Sequence, residues 1–330
     1  MNKIMFYSTL IMGSIMAISG TSWLTIWIGL EMNLLSIMPI MKDKLKSTSE
    51  AMIKYFMVQA MASTILLFSI LMFQLASTKM MSASTYFILN SALFMKMGAA
   101  PLHFWYPEVL SGLSWKNNFI MLTWQKIAPM LIIINTSFSI LFISLFIVFS
   151  ALLGSLQGFN QICLRKILAY SSINHIGWML ASFLCTHTIW LFYYLIYTLI
   201  NMNIIIILQK MNIFYMNQIN KLFSFNLKMK MMYMLNFLSL SGLPPFLGFI
   251  PKWLVVNFLI MNNFLSLSLI LIIFTLLALF MYFRITFSTF SFFYSKNILN
   301  YKNKISYTIF FINFLALSGS FIQILSINMI

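Results

Sequence analysis

The chain has very little acid. Its 330 residues include 4 Asp and Glu, and charged residues of both signs make up 7%. A soluble domain is roughly a quarter charged, so a soluble globular protein is excluded. Cysteine is scarce too, with only Cys163 and Cys185. Two cysteines make no disulfide framework, and no CxxC offers a redox or zinc site. Disorder requires low hydrophobicity, whereas 62% of these residues are hydrophobic. The apolar stretches are continuous rather than alternating, which argues against a transmembrane β-barrel. What remains is an all-α polytopic membrane protein. The 20 Lys and Arg give a net charge of +16. Such a charge suggests nucleic acid when it forms one basic surface, but here the cations are scattered among apolar runs.

A helical crossing needs roughly 20 mostly apolar residues. Eleven stretches qualify: 4–20, 22–41, 50–76, 84–110, 116–136, 138–158, 160–185, 187–209, 229–263, 265–291 and 305–328. The first also has features of a signal peptide, with Lys3 ahead of it and Ala17-Ile18-Ser19-Gly20 as a small-residue site. Ser47-Thr48-Ser49-Glu50 has capping-box spacing at the start of the third. The cations alternate with this count. Fourteen lie at the N-terminus or in even-numbered connections, Lys79 alone lies in an odd one, and five lie within spans. By the positive-inside rule the N-terminus is on the basic side and the C-terminus opposite.

Of the five cations within spans, Lys54 and Arg284 are near span ends, where a long side chain can snorkel to water. Lys96, Lys126 and Lys252 are near mid-depth, and so is one acid, Glu31, while Asp43, Glu50 and Glu108 fall at span ends or loops. An ionised group at the centre of a bilayer costs at least about 2.5–3.5 kcal/mol. Ion pairing that fixes helix packing accounts for Glu31 and one Lys, and leaves two Lys over. A buried amine loses proton affinity and a nearby carboxylate restores it, so a line of Lys with one Glu suits proton passage. It does not suit Na⁺, which prefers oxygen ligands.

The fourth and ninth spans are too long for simple crossings, and both are interrupted. One reads Lys96-Met97-Gly98-Ala99-Ala100-Pro101 and the other Ser241-Gly242-Leu243-Pro244-Pro245, with Pro251-Lys252 following. Proline removes a backbone donor and clashes with the preceding turn. The breaks are five spans apart. This predicts two five-helix repeats, 1–136 and 137–291, with 292–330 an added C-terminal helix. Because five is odd the second repeat is inverted, a transporter pattern.

At these residues the sequence resembles a known family, the antiporter-like NADH dehydrogenase subunit 2 of respiratory complex I in its shortened animal mitochondrial form. The matching stretches run from Trp27 to Leu35 around Glu31; Lys54-Tyr55-Phe56 with Gln59-Ala60; residues 96–108, including Pro101, His103, Trp105 and Pro107; Trp124-Gln125-Lys126-Ile127-Ala128-Pro129; Leu164-Arg165-Lys166; Tyr170 to Trp178; and residues 238–253. The resemblance implies an antiporter-like fold with two discontinuous helices, and a hydrated polar axis of Glu31, Lys96, Lys126 and Lys252. His175 is either a further member or a satisfied core residue. His103 either lines water or packs helices, and His187 is interfacial.

The resemblance also implies a proton-translocating subunit of the mitochondrial inner membrane with a matrix-side N-terminus. Its partners would be other membrane-arm subunits, neighbouring antiporter-like subunits and phospholipids, with no nucleic acid. This chain would bind no cofactor; NADH, flavin, iron–sulfur clusters and ubiquinone would serve other subunits. The 28 Met and 34 Phe fit an AT-rich mitochondrial genome. A subunit of a cation/proton antiporter and a purely structural membrane-arm subunit are the alternatives. If the axis exists, Glu31, Lys96, Lys126 and Lys252 share a hydrated line at mid-depth, and a structure that disperses them onto lipid-facing surfaces would overturn it.

Overall fold

A computed structural model describes residues 2–43, 46–75, 79–136, 139–219 and 227–290. The eleventh expected span, 305–328, and the C-terminal helix 292–330 lie outside the described residues. Thirteen helices account for nearly all that is described, and among the described residues the β-structure is a single bridge between Cys163 and Tyr215.

The chain forms two compact units, divided between residues 146 and 147. The first holds α1 (Asn2–Ser19), α2 (Trp23–Met41), α3 (Lys46–Leu75), α4 (Lys79–Met97), α5 (Trp105–Gly112), α6 (Trp115–Leu122), α7 (Trp124–Asn135) and the start of α8 (Ile140–Gly158). The second holds the rest of α8, then α9 (Leu164–Phe183), α10 (His187–Met211), α11 (Leu227–Ser241), α12 (Phe249–Met261) and α13 (Leu265–Phe290). By length and composition α2, α3, α8, α10 and α13 are apolar enough to cross a membrane.

Small residues let helices in each unit approach backbone to backbone, as is common in membranes. A Cβ on Gly13 would stand 2.9 Å from the Asn33 nitrogen and 3.0 Å from the Gly29 carbonyl, which brings α1 against α2. In the second unit a Cβ on Gly154 would stand 2.7 Å from the Asn174 nitrogen and 2.9 Å from the Tyr170 carbonyl, which brings α8 against α9. The two crossings are built alike: a glycine opposite a carbonyl and, four residues on, the amide of an asparagine. α9 is buried almost all round and is the core helix of its unit.

Three expected spans are each two helices: 84–110 is α4 and α5, 116–136 is α6 and α7, and 229–263 is α11 and α12. The break at Thr123 was not expected, because no Gly or Pro stands at that position. The other two breaks share one design. Residues 98–104 separate α4 from α5 and residues 242–248 separate α11 from α12, seven in each case. Gly98 (φ 74°) and Gly242 (φ 82°) adopt the left-handed conformation. The Gly98 amide donates to the Met95 carbonyl (3.2 Å) and the Ala99 amide to the Phe94 carbonyl (3.0 Å). The Gly242 amide donates to the Ser239 carbonyl (3.0 Å) and the Leu243 amide to the Leu238 carbonyl (3.5 Å). Both are Schellman ends, which satisfy carbonyls that the terminated helix leaves open. The prolines that follow prevent the helix from resuming.

One local expectation needs correction, and two cations gain partners. The capping box does not form, because α3 already begins at Lys46. Ser47 is therefore inside the helix, and the Thr48 hydroxyl donates back to the Asp43 carbonyl at 3.1 Å. The Arg284 guanidinium donates to the Phe159 carbonyl at 2.6 Å and also to the Gln161 carbonyl, tying α13 to the open end of α8. The Lys54 amine pairs with Glu108 in α5 at 2.5 Å, both about half exposed.

The left-handed breaks give a stability prediction. Gly98→Ala should cost about 1–2 kcal/mol, the strain of an L side chain at positive φ, and lower the heat stability of the assembled protein. Gly98→Asn should lose less, since Asn tolerates this region.

Candidate functional site

Glu31, Lys96 and Lys126 belong to the first unit. Glu31 lies midway along α2, partly buried, and its Oε1 is buried with no hydrogen bond from the protein. Its carboxylate acts electrostatically on Lys96 and on the Tyr55 hydroxyl. The distance exceeds that of an ion pair: among the described residues Lys54–Glu108 is the one salt bridge. Glu31 and Lys96 are thus electrostatic neighbours rather than partners in contact.

Lys96 is buried in the last turn of α4, just before the break. The carboxyl end of a helix carries partial negative charge and favours a cation. The carbonyls there are also held by side chains: Gln59 Nε2 donates to the Lys96 carbonyl (3.2 Å) and Trp105 Nε1 to the Met95 carbonyl (3.2 Å). Beside Lys96 is a cavity of about 10 Å³ lined by Asn33, Tyr55, Gln59, Gln125 and Pro129 among others. The Tyr55 hydroxyl donates to Gln125 Oε1 (3.3 Å), and Gln125 Nε2 donates to Asn33 Oδ1 (2.9 Å). This chain joins α3, α7 and α2. Nothing in the sequence alone assigns Asn33, Tyr55, Gln59 or Gln125 a role. The available signal was that each is a polar group inside an apolar span, where it must find a partner.

Lys126 adjoins Gln125 in the first turn of α7 and is 1% exposed. Its amine lies 5.5 Å from the centre of the Tyr106 ring, a cation–π arrangement. Tyr106 in turn packs on the break, where a Cβ at Gly98 would stand 3.2 Å from the Tyr106 Cβ. Lys96 and Lys126 are therefore both placed by the first break, one on its own helix end and one through Tyr106. His103, in the break, is buried and stacks on Phe104 at 4.7 Å.

Lys252 and His175 belong to the second unit. Lys252 is in the first turn of α12, and its Nζ reaches back to donate to the Ser241 carbonyl at 2.8 Å, at the carboxyl end of α11. Gly242 makes room for this: a Cβ there would stand 2.9 Å from Lys252 Cδ and 3.0 Å from Nζ. The amine is 5.9 Å from the Trp178 ring, and both residues line a cavity of about 380 Å³. His175, one turn before Trp178 on α9, pairs through Nδ1 with the Tyr193 hydroxyl at 2.8 Å and lies 5.0 Å from the Tyr197 ring. It lines a second, small cavity with Leu240, Gly248 and Pro251, on the same break as Lys252. His187, at the start of α10, is exposed.

The family model described as NADH:quinone oxidoreductase/Mrp antiporter, transmembrane, matches residues 20–280. NADH-ubiquinone oxidoreductase chain 2 of Anopheles gambiae is 44% identical over 323 residues, 95% of this chain and 94% of that protein. The chain belongs to the NADH-ubiquinone oxidoreductase chain 2 family. The family member of Locusta migratoria is 45% identical over 89% of this chain and 87% of its own length. In fold, the chain resembles a subunit of respiratory complex I from Thermus thermophilus, with a TM-score of 0.83 at 21% identity, covering 94% of this chain and 76% of that one. A chain of the Mrp complex from Dietzia sp. gives 0.75 at 17% identity, covering 84% and 58%.

The polar chain in the first unit predicts a coupled loss. Gln125→Leu leaves Asn33 and Tyr55 without their partner and should cost about 1–3 kcal/mol. Combined with Asn33→Ala it should cost less than the sum of the two single changes, read as thermal stability in a double-mutant cycle.

Proposed function

We propose that this chain is a proton-translocating membrane subunit of NADH:ubiquinone oxidoreductase, with Glu31, Lys96, Lys126 and Lys252 as proton-carrying groups. The observation that carries the reading is the placement of Lys96 and Lys252, each a buried amine at the carboxyl end of a broken helix. The Lys252 amine meets a backbone carbonyl, and the Lys96 amine has no carboxylate within ion-pair distance. Such a site holds an ammonium by dipoles and lets the proton leave without breaking an ion pair.

Glu31 supplies the control. Its carboxylate acts on Lys96 through space, so a change in its charge or hydration alters the proton affinity of Lys96. Lys126, next to the Gln125 of the polar chain, passes the change and the proton on. Lys252 exchanges a proton with one aqueous side, with His175 as a further carrier at the same break. Redox chemistry belongs to other subunits of the complex, which use NADH, flavin, iron–sulfur clusters and ubiquinone.

In this reading the chain crosses the mitochondrial inner membrane eleven times, with its N-terminus on the matrix side and its C-terminus on the intermembrane-space side. Residues 1–136 and 137–291 are five-helix repeats, and an odd number of crossings makes the second run in the opposite sense. The matched Schellman breaks and the matched Gly13–Asn33 and Gly154–Asn174 crossings support the repeat. Neighbouring antiporter-like subunits and phospholipids are the partners.

A second reading, a subunit of a cation/proton antiporter, is favoured by the fold likeness to the Mrp complex. The lysines argue against it, because an alkali cation seeks oxygen ligands and is repelled by ammonium groups. Replacement of Lys252 by Met in the assembled complex tests the proposal. NADH oxidation coupled to fewer protons pumped, or blocked altogether, is expected. Intact assembly with unchanged proton stoichiometry would sink the role of Lys252.

A further inference from the structure

We propose that the cavity beside Lys252 binds a long-chain carboxylic acid, its carboxylate on the lysine amine and its chain against the apolar wall. The cavity's roughly 380 Å³ lies within the range of about 300–1,000 Å³ typical of small-molecule sites. Its wall is apolar and aromatic, formed by Trp178, Pro244, Trp253, Ile272, Leu276 and Leu279. The hydroxyl groups in the wall are already engaged, Ser241 donating to the Leu238 carbonyl and Thr275 to the Ile272 carbonyl. The amine is not exhausted. An ammonium has three donors, and the Ser241 carbonyl takes one.

Charge selects the head group. The four acids of the chain are Glu31, Asp43, Glu50 and Glu108, so residues 147–330 contain none. Lys252 therefore has no acidic side chain in its own unit, and an acidic ligand supplies the counter-charge. Access selects the class of acid. Leu276, on the apolar helix α13, is 63% exposed and also lines the cavity, so the cavity reaches the apolar outer surface of the unit. A phospholipid headgroup is held at the membrane surface, whereas a free carboxylic acid enters the hydrocarbon as its neutral form. At the amine the acid O–H breaks and an N–H forms, leaving a carboxylate beside an ammonium. Occupancy depends only on the cavity. Its consequence, that the acid holds Lys252 charged and stalls proton exchange there, rests on the proton-carrying reading above.

The test is photolabelling of the assembled complex in its native membrane with palmitic acid carrying a diazirine and an alkyne, followed by peptide mapping. Label is expected within residues 243–256 or 272–279. Unlabelled palmitate should displace it at least tenfold better than methyl palmitate, hexadecanol or phosphatidic acid. Absence of label there, equal displacement by the ester or the alcohol, or equal displacement by phosphatidic acid would each overturn the proposal. Leu276→Trp, which fills the cavity away from the amine, should reduce labelling tenfold while NADH oxidation continues, and unreduced labelling in the assembled variant would also overturn it. The Lys252→Met complex separates the two readings. Loss of carboxylate selectivity with pumping unchanged would keep this site and discard the proton role; loss of pumping with selectivity intact would do the reverse.

Discussion

A helix that stops inside an apolar segment leaves carbonyls that neither water nor lipid will satisfy, and the architecture of both units answers that constraint. Unpaired backbone groups at such depth cost several kcal/mol each by order of magnitude. Each break is closed first by a left-handed glycine, which turns its own amide and the next one back onto the helix. Side chains donate to carbonyls of the same helix ends. At the first break these are the Gln59 amide and the Trp105 indole, and at the second the Lys252 amine. Lys252 is therefore part of how the second break is tolerated, and the break is part of how Lys252 is tolerated.

This mutual dependence explains why an amine can stay buried without a carboxylate in contact. The partial charges of a helix end are fixed and do not titrate, so they favour an ammonium without trapping it in a salt bridge. Glu31 fits the same logic. It acts on Lys96 from beyond ion-pair distance, and the polar chain of Tyr55, Gln125 and Asn33 fills the adjoining space with fixed dipoles. Where a contact ion pair does form, between Lys54 and Glu108, both groups are about half exposed, and solvent weakens such pairs.

Much of the fold was legible in the sequence because membrane helices obey a local rule of length and apolarity, and because Gly98, Pro101, Gly242 and Pro244 announce their breaks. The break at Thr123 was not legible, since no backbone-restricting residue marks it. The partners of Lys54 and Arg284 were not legible for a related reason. Snorkelling is a statement about one side chain and water, while their actual partners, Glu108 and the carbonyls after α8, are distant in sequence. The candidate lysines stood out because an isolated cation in an apolar run is costly wherever it points. Asn33, Gln59 and Gln125 did not, because a neutral amide gives a weaker signal and its importance lies in its partner.

The sequence by itself determined that this is a helical membrane protein, where two of its helices break, and which four charged groups need explaining. These follow from composition, from backbone chemistry and from the energy of a charge in hydrocarbon, none of which depends on neighbours far along the chain. Only the tertiary structure decided that Lys252 reaches back to the Ser241 carbonyl, that Tyr106 lies beneath Lys126, and that Gln125 joins three helices. Those are distances between segments that the sequence keeps apart, and packing alone brings them together.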